Sequence, residues 1–217
     1  MSPLRVTIRG DGSSDDALKP LVEWVLREHL PVMVGAAVQL VERYDPLPAE
    51  RKGLTGSIER SLRLAPCELL VAHRDSENDT RGKRVSEIDE AVAELRGEGA
   101  AIPPYVCLVP IRMTEAWLLF DEPAIRAASG NPNGKVRLKP PAPRTVEGLA
   151  DPKSLLRALV KTASELTGRR LKKLETNHIP RTVAAYIDDF APLRQLSAFR
   201  DFEAEVRAFA ESWGPAD

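Results

Sequence analysis

Acidic side chains follow three apolar segments in the first half of the chain, where each segment ends. They are Asp11, Asp15 and Asp16 after the first segment, Asp75, Glu77 and Asp79 after the next, and Glu115 after the last. If these segments are neighbouring strands of one parallel sheet, the carboxylates converge at its carboxyl edge, where open α/β sheets bind ligands. Converging carboxylates repel one another, and a hard divalent cation is the usual remedy. The sequence therefore predicts a site for Mg²⁺ or Mn²⁺.

A second interpretation of these acids is purely local. Asp and Ser directly after a strand often cap the next helix, and Ser14, Asp15 or Asp16 could do so in this chain. Capping does not require Asp75, which comes shortly after the uninterrupted apolar run 69–72. Because acids recur at three strand ends, the pattern favours a shared site over three separate caps.

Hydrophobic periodicity predicts the elements that must position these acids. Segments with strand character alternate with helical ones over the first 120 residues, and two of the strands are apolar almost throughout. The predicted strands are 4–9, 33–44, 67–72 and 105–111. The predicted helices are 17–30, 53–64, 85–95 and 113–128, the last broken near Pro123. This order indicates an α/β fold with a mainly parallel four-stranded sheet and flanking helices.

The second half of the chain has a different composition. Residues 130–153 are rich in Pro, Asn and Gly, which favours a loop or lid. Helical periodicity then returns, with Asp151 and Pro152 suited to begin the first helix. The helical segments are 153–167, 181–187 and 193–213. We expect an α/β core at 1–129, a Pro/Asn/Gly-rich loop at 130–153 and a C-terminal helical extension at 154–217.

Composition and charge exclude several classes of protein. The chain is 43% apolar and 29% charged, and no stretch approaches the roughly 18 apolar residues of a membrane span. Its start has no apolar signal core, so we expect a cytoplasmic protein without a membrane partner. The 31 Lys and Arg residues against 32 Asp and Glu give a net charge of −1, so nucleic-acid binding requires a local patch. Two Cys and three His predict no zinc cluster, so any metal must have oxygen ligands.

Three segments resemble motifs of TOPRIM (topoisomerase–primase) domains. The strand 4–9, followed by Asp-Gly-Ser-Ser-Asp at 11–15 and an amphipathic helix, resembles the first motif, a Glu-Gly pair with a second acid four positions after the glutamate. Asp-Ser-Glu at 75–77 resembles the second motif, Asp-x-Asp at a strand end. Thr-Glu-Ala-Trp-Leu-Leu at 114–119 is similar to a helix of small stand-alone bacterial TOPRIM-like proteins. The resemblance covers about residues 4–122 and implies a TOPRIM-like, Rossmann-like sheet.

The resemblance implies phosphoryl transfer on DNA or RNA by a nuclease that uses Mg²⁺ or Mn²⁺. Asp11, Asp15, Asp75 and Glu77 would hold one or two ions, and Glu115 would complete the second ion's shell or orient the water. Asp11, Asp15, Asp75 and Glu115 would be the catalytic acids. Asp11 stands in place of a glutamate and Glu77 in place of an aspartate. Metal binding tolerates such changes better than proton transfer does.

Basic residues in two regions are predicted to bind phosphate. Arg74 and Arg112 lie nearest in sequence to the strand ends, where charge develops on the substrate, although each could instead pair with a neighbouring acid. A basic cluster further along could contact a phosphate backbone, or could simply be solvated charge at a helix end. That cluster consists of Arg169, Arg170, Lys172, Lys173 and Arg181.

Two other functions remain open at this stage. A receiver-type phospho-acceptor domain fits the order of the acids and Thr114, but it requires a fifth parallel strand ending in Lys, which the sequence does not predict. A TOPRIM-like module without catalysis could instead serve as a partner or sensor. Related domains form the nuclease part of OLD-type (overcoming lysogenization defect) proteins, which pair with ABC-type ATPases in phage defence. An ATPase partner and an oligomer therefore also remain open.

Overall fold

The computed structural model describes residues 3–12, 15–31, 35–41, 51–174 and 178–213. Within these residues, one four-stranded sheet is present, all of its strands are parallel, and their order is β2-β1-β3-β4. The strands are β1 (Leu4–Arg9), β2 (Ala36–Val41), β3 (Leu69–His73) and β4 (Tyr105–Leu108). The predicted α/β fold with a parallel sheet is confirmed. The parts of the predicted strand 33–44 at 33–34 and 42–44 lie outside the described residues.

Pairing of the strands aligns their carboxyl ends. Arg9 at the end of β1 lies opposite Ala72 of β3, and His73 at the end of β3 lies opposite Leu108 of β4. The loops after β1, β3 and β4 therefore leave the sheet side by side. This is the arrangement that the three acidic strand ends require in order to meet.

Eight α-helices are present in the described part of the chain. They are α1 (Leu18–His29), α2 (Gly53–Leu64), α3 (Arg81–Gly97), α4 (Glu122–Ala128), α5 (Pro152–Ala163), α6 (Gly168–Lys172), α7 (Ile179–Ala185) and α8 (Ser197–Ser212). The segment predicted as one helix at 113–128 is divided into a 3₁₀ helix, Thr114–Leu118, and α4. Pro123 stands in the first turn of α4, where its missing N–H removes no helical hydrogen bond. Among the described residues, no helix is long and apolar enough to cross a membrane.

Side-chain caps fix where two helices near the strand ends begin. The Asp121 side chain accepts a hydrogen bond from Ala124 N at 2.8 Å, and the Asp151 side chain accepts one from Ser154 N at 2.9 Å. Pro152 follows as the first residue of α5, as the sequence predicts. These caps satisfy N–H groups that have no partner within the helix, and so each defines the start of its helix.

Two apolar layers cover the two faces of the sheet. On one face, α2 and α3 pack against the sheet through Ile58, Ile88 and Val92. On the other face, a larger cluster joins α1, the 3₁₀ helix 114–118 and the C-terminal helices α5, α7 and α8. Leu138 and Val146, from the Pro/Asn/Gly-rich segment, belong to this cluster as well. The C-terminal helices thus share their hydrophobic core with the sheet.

One aromatic residue of α8 lies at the centre of the larger cluster. Phe199 is fully buried, and its ring lies 5.5 Å from that of Trp117 and 6.5 Å from that of Trp24. We expect Phe199→Ala to lower the free energy of unfolding by about 3–5 kcal/mol, because it opens a cavity between two large side chains. Urea denaturation measures this loss. The matched control is Tyr186→Ala at an exposed ring, where a comparable loss would contradict the assignment of Phe199 to the core.

The outer edge of β4 is protected by a side chain from the C-terminal helix. Glu205 of α8 accepts a hydrogen bond from the backbone N–H of Cys107 at 2.6 Å. The Arg81 guanidinium forms ion pairs with the same carboxylate at 3.3 Å and with the Asp201 carboxylate at 3.2 Å. Cys107 itself is a buried free thiol. The pairing satisfies an N–H that an edge strand would otherwise expose.

Candidate metal and phosphate site

Four ionisable side chains meet at the carboxyl ends of β1, β3 and β4. Asp15 belongs to a short 3₁₀ helix after β1, His73 is the last residue of β3, Asp75 follows it, and Glu115 lies in the 3₁₀ helix after β4. Asp15, His73 and Glu115 are buried, whereas 27% of the Asp75 side chain is exposed. We call these four residues the acid cluster. It opens to solvent at Asp75.

Asp15 is held by the turn that follows β1. Its Oδ2 atom accepts hydrogen bonds from the backbone N–H groups of Asp11 at 2.5 Å and Gly12 at 2.9 Å. The turn has no room for a side chain at Gly10, because a Cβ there would lie 2.8 Å from Asp15 Oδ2. Burial acts to raise the pKa of Asp15, but the contact with His73 and the two N–H donors lower it below its usual value. Asp15 is therefore a fixed negative charge.

His73 lies between two of the carboxylates. Its Nδ1 atom donates to the carbonyl oxygen of Leu108 at 3.0 Å, and its Nε2 atom lies 3.5 Å from Asp15 Oδ1 and 3.7 Å from Asp75 Oδ1. Both ring nitrogens face acceptors, which is the environment of an imidazolium. Burial acts to lower the pKa of His73, but Asp15, Asp75 and the Leu108 carbonyl raise it to about 9. His73 is therefore a buried cation at neutral pH.

The ionised form of Asp75 is less favoured than that of Asp15. Burial is the largest influence on its pKa, and together with the charges of Asp15 and Glu115 it raises the pKa to about 6. The positive charge of His73 and the hydrogen bond from Thr114 act in the opposite direction. Thr114 donates to Asp75 Oδ1 from its backbone N–H at 2.9 Å and from its hydroxyl at 3.2 Å. These two bonds fix the orientation of the carboxylate. A carboxylate destabilised by like charges is one that a bound cation would stabilise.

Glu115 is a buried acid of the cluster with an oxygen that lacks a hydrogen bond within the described part of the chain. Its side chain is only 2% exposed, and its Oε1 atom accepts no hydrogen bond from the residues that the structure describes. Lys153 Nζ, from the first turn of α5, lies 3.4 Å from this oxygen, and 41% of the lysine side chain is exposed. Lys153 is therefore a partly exposed cation that contacts the buried acid.

The loops after β3 and β4 are joined by backbone contacts that hold Asp75 and Thr114 in place. Ser76 Oγ accepts a hydrogen bond from Arg112 N at 2.7 Å, and Glu77 N donates to Arg112 O at 2.8 Å. Glu77 and Arg112 both have left-handed backbones, with φ of 53° and 69°. Such φ values cost a non-glycine residue about 1–2 kcal/mol, so the surrounding contacts must support this geometry.

Asp11 and Glu77, two of the predicted metal ligands, have other contacts. Asp11 Oδ1 lies 2.6 Å from the Arg9 guanidinium, which is buried and also donates to Ser57 Oγ and to the backbone oxygen of His73. The Glu77 side chain is 70% exposed, and its nearest described cation is Arg84 at 3.7 Å. The structure therefore brings together Asp15, Asp75 and Glu115, with Asp11 at the edge and Glu77 outside.

The basic residues predicted to bind phosphate lie in three places. Arg74 forms an ion pair with Glu87 and lies 3.8 Å from Asp11 Oδ2, and Arg112 donates to Asn78 Oδ1 at 3.1 Å. Arg181, on α7, pairs with Asp16 at 3.1 Å. The other four are exposed on or directly after α6, and they are distant from the acid cluster in the sequence: Arg169, Arg170, Lys172 and Lys173. Their contact with phosphate stays a prediction.

Four further polar side chains at this edge were not predicted as site residues from the sequence. Arg9 and His73 are single polar residues at the ends of apolar strands next to acids, a signal that the sequence does contain. Thr114 precedes Glu115 and fixes Asp75. Lys153 lies 38 positions after Glu115 in another element, and no spacing rule links the two. Ser13 and Ser14, of the motif at 11–15, lie outside the described residues.

The acid cluster fits a divalent cation in a limited way. Within the residues that the structure describes, no group of three or more His, Cys, Asp or Glu side chains is arranged to hold a metal ion. Asp15 is already directed at two N–H groups and His73. The two available carboxylates are Asp75, which is partly exposed, and Glu115, whose buried Oε1 accepts no hydrogen bond from the described residues. Mg²⁺ is commonly bound through one or two carboxylates, with waters and substrate phosphates as the other ligands.

Comparisons with known proteins identify no relative. The chain matches no family model, no curated protein and no solved structure. Function must therefore be argued from the chemistry of the acid cluster and of the charged surface beside it.

Proposed function

We propose that the protein is a phosphoryl-transfer enzyme that depends on Mg²⁺ or Mn²⁺ and hydrolyses phosphodiester bonds of DNA or RNA. The observation that carries this proposal is the convergence of Asp15, Asp75 and Glu115 at the carboxyl edge of three adjacent parallel strands. Ligands of open α/β sheets bind at this edge. Effector activity in phage defence is a further part of the proposal and depends on the resemblance to OLD-type proteins.

Asp75 and Glu115 are the residues that would hold the ion. The cation would offset the burial and the like charges that together raise the pKa of Asp75, and it would give the buried Glu115 Oε1, which accepts no hydrogen bond from the described residues, a direct ligand contact. The chemistry that such an ion supplies is charge neutralisation at the phosphate and activation of water. A site with two carboxylates leaves room for phosphate oxygens, so we expect the ion to bind more tightly when substrate is present.

The other residues of the cluster have separate tasks. Thr114 orients Asp75, and Asp15 with His73 keeps the interior of the cluster electrically balanced. Lys153 is the protein cation best placed to meet a phosphate, since it is partly exposed and lies 3.4 Å from Glu115 Oε1. A cation at this position stabilises the charge that develops on a phosphoryl group during transfer.

Asp75→Asn tests the proposal directly. Isothermal titration calorimetry with MnCl₂, in the presence and absence of a short DNA oligonucleotide, measures ion binding. Cleavage of plasmid, single-stranded DNA and tRNA measures activity in the same buffers. We expect saturable Mn²⁺ binding by the wild type and loss of both binding and cleavage in the variant, because the amide removes the charge at the open side of the cluster.

The matched control is Asp89→Asn, which removes an exposed carboxylate of α3 that bonds Tyr105. Circular dichroism and thermal melting show whether each variant is folded. Full cleavage activity in folded Asp75→Asn would contradict the site. Absence of both ion binding and cleavage in the wild type, across all three substrates and both ions, would contradict the function.

A second function is favoured by the position of His73. Its positive charge already lies between Asp15 and Asp75, and Arg9 already pairs with Asp11, so part of the acid is neutralised without a metal. Such an arrangement suits a partner or sensor module without catalysis, acting with an ATPase. A measurement of Mn²⁺ binding distinguishes the two functions, because the catalytic function requires the ion and the non-catalytic module does not.

A further inference from the structure

We infer that a continuous track of positive charge along α5, α6 and the segment before α5 guides the phosphate backbone of a nucleic acid to the acid cluster. This inference rests on the proposed function and adds the surface by which substrate is held. We call this surface the basic track. Its members are Lys153, Arg157 and Lys161 on α5, Arg169, Arg170, Lys172 and Lys173 on and directly after α6, and Lys135, Arg137 and Lys139.

The first part of the basic track runs along one face of α5. Lys153, Arg157 and Lys161 are spaced four residues apart, so their side chains follow one another along the helix surface. Lys153 meets Glu115 at one end of the helix. Lys161 is exposed in the last turn, and neither it nor Arg157 forms an ion pair with the residues that the structure describes. The stripe therefore begins at the acid cluster and leads away from it.

The second part of the basic track is gathered at the far end of α5. Glu165, just past the helix, accepts hydrogen bonds from the backbone N–H groups of Lys135 at 2.6 Å and Val136 at 3.0 Å. Asn131 Nδ2 donates to Ala163 O at 3.0 Å, which attaches the same segment to the helix terminus. Because α6 begins at Gly168, three residues after Glu165, the basic residues at 135–139 and at 169–173 lie on either side of one junction.

The packing at this junction leaves the cations free for a partner. Leu138 is buried between the exposed Arg137 and Lys139, so the segment is anchored by its apolar residue while its charges face solvent. Leu174 likewise packs against the core beside the exposed Lys173. None of the basic residues at 135–139 and 169–173 forms an ion pair with another described residue. A patch of this kind in a chain of net charge −1 is a local feature and not a general excess of basic residues.

The geometry favours a nucleic acid over an anionic membrane. The ten residue steps from Lys153 to Ala163 span about 15 Å, which is the length of roughly four or five nucleotides along the axis of B-form DNA. A polyanion of that length can lie on the far cations while one of its phosphates reaches Lys153. Val136 is the one large apolar residue exposed in the described parts of the track, so it offers little to insert into lipid.

Fluorescence anisotropy with labelled single-stranded DNA of 4 and 20 nucleotides tests the basic track. The full chain is used, with EDTA present so that cleavage cannot interfere. The variant removes four charges far from the acid cluster, Lys161→Gln, Arg169→Gln, Arg170→Gln and Lys172→Gln. The control removes four exposed charges elsewhere, Lys19→Gln, Arg27→Gln, Arg200→Gln and Arg207→Gln. Vesicles of phosphatidylserine are titrated in parallel.

We expect the wild type to bind the 20-mer at least tenfold more tightly than the 4-mer. In the track variant this advantage should be lost, and the salt slope of the 20-mer should fall by roughly 0.7 for each phosphate contact removed. Binding of the 4-mer, which can contact only part of the track, should change less than binding of the 20-mer, and the control should resemble the wild type. The inference would be overturned if the variant and the control lost affinity for the 20-mer equally, or if the wild type bound both oligonucleotides with equal affinity. It would also be overturned if the variant changed binding to the vesicles but not to DNA. Because binding is measured without metal or cleavage, these results are independent of those that test the proposed function.

Discussion

His73→Leu is expected to lower the free energy of unfolding at pH 7 by about 3–5 kcal/mol, the cost of removing one partner from a buried ion pair. Leucine fills a similar space, so the loss is electrostatic more than steric. Without the imidazolium, Asp15 is left buried beside Asp75 with only N–H donors to balance it. Urea denaturation followed by circular dichroism measures the loss.

The stability due to His73 should also depend on pH with a definite sign. Its pKa in the folded protein, about 9, lies above the ordinary value of 6.5, so folding favours the protonated ring. The resulting stabilisation is complete below pH 6.5 and is lost as pH rises from 6.5 through 9. We therefore expect the difference between wild type and His73→Leu to be largest near pH 6.5 and to shrink towards pH 9.

The matched control for this prediction is His178→Leu, because His178 is exposed. This control should change the free energy of unfolding by less than about 0.5 kcal/mol, as most surface substitutions do. A difference between wild type and His73→Leu that is constant from pH 6.5 to 9 would show that His73 contributes packing and not charge.

Glu115→Gln is expected to reduce cleavage by at least about a hundredfold, comparable to removing a general acid or base or an electrostatic partner of the reaction. The amide has the same shape as the carboxylate but carries no charge. One of the two carboxylates available to an ion is lost, and Lys153 loses its buried partner. Single-turnover cleavage in Mn²⁺ measures the loss.

The same substitution should leave the protein at least as stable as the wild type. Glu115 is a buried charge whose Oε1 accepts no hydrogen bond from the described residues, and its repulsion adds to the effect of burial in raising the pKa of Asp75. Removing it relieves that repulsion, which is the pattern expected where an active site keeps an unfavourable charge for function. The control is Glu90→Gln at an exposed position of α3. Normal cleavage by Glu115→Gln, or unfolding of that variant, would contradict its role.

Much of the fold could be predicted because it depends on local patterns. Strand 4–9 and helix 53–64 were predicted with the bounds that the structure gives, since a change of period marks each end. The helix α6 was not predicted, because its five residues are too few to show a period. How the C-terminal helices pack was not predictable either. Their apolar stripes show that they must pack, but not that Phe199 meets Trp24 and Trp117.

The candidate site was predicted in part for a similar reason. Strand order brings the ends of β1, β3 and β4 together, so the convergence of Asp15, Asp75 and Glu115 follows from parallel pairing. Side-chain direction does not follow from it. Asp11 and Glu77 occupy the expected turns, yet the first pairs with Arg9 and the second faces solvent. Lys153 could not be found, because its contact with Glu115 depends on how α5 packs against the 3₁₀ helix 114–118.

The bond between Glu205 and Cys107 has a consequence for how the protein folds as it is synthesised. The two residues are 98 positions apart, and the carboxylate satisfies an N–H on the outer edge of the sheet. At about 5–20 residues per second, roughly 5–20 seconds pass between the synthesis of β4 and the synthesis of Glu205. During this interval β4 is an open edge to which another strand can add. The nascent chain is therefore most prone to aggregate in this window, and faster translation of the C-terminal third should improve the soluble yield.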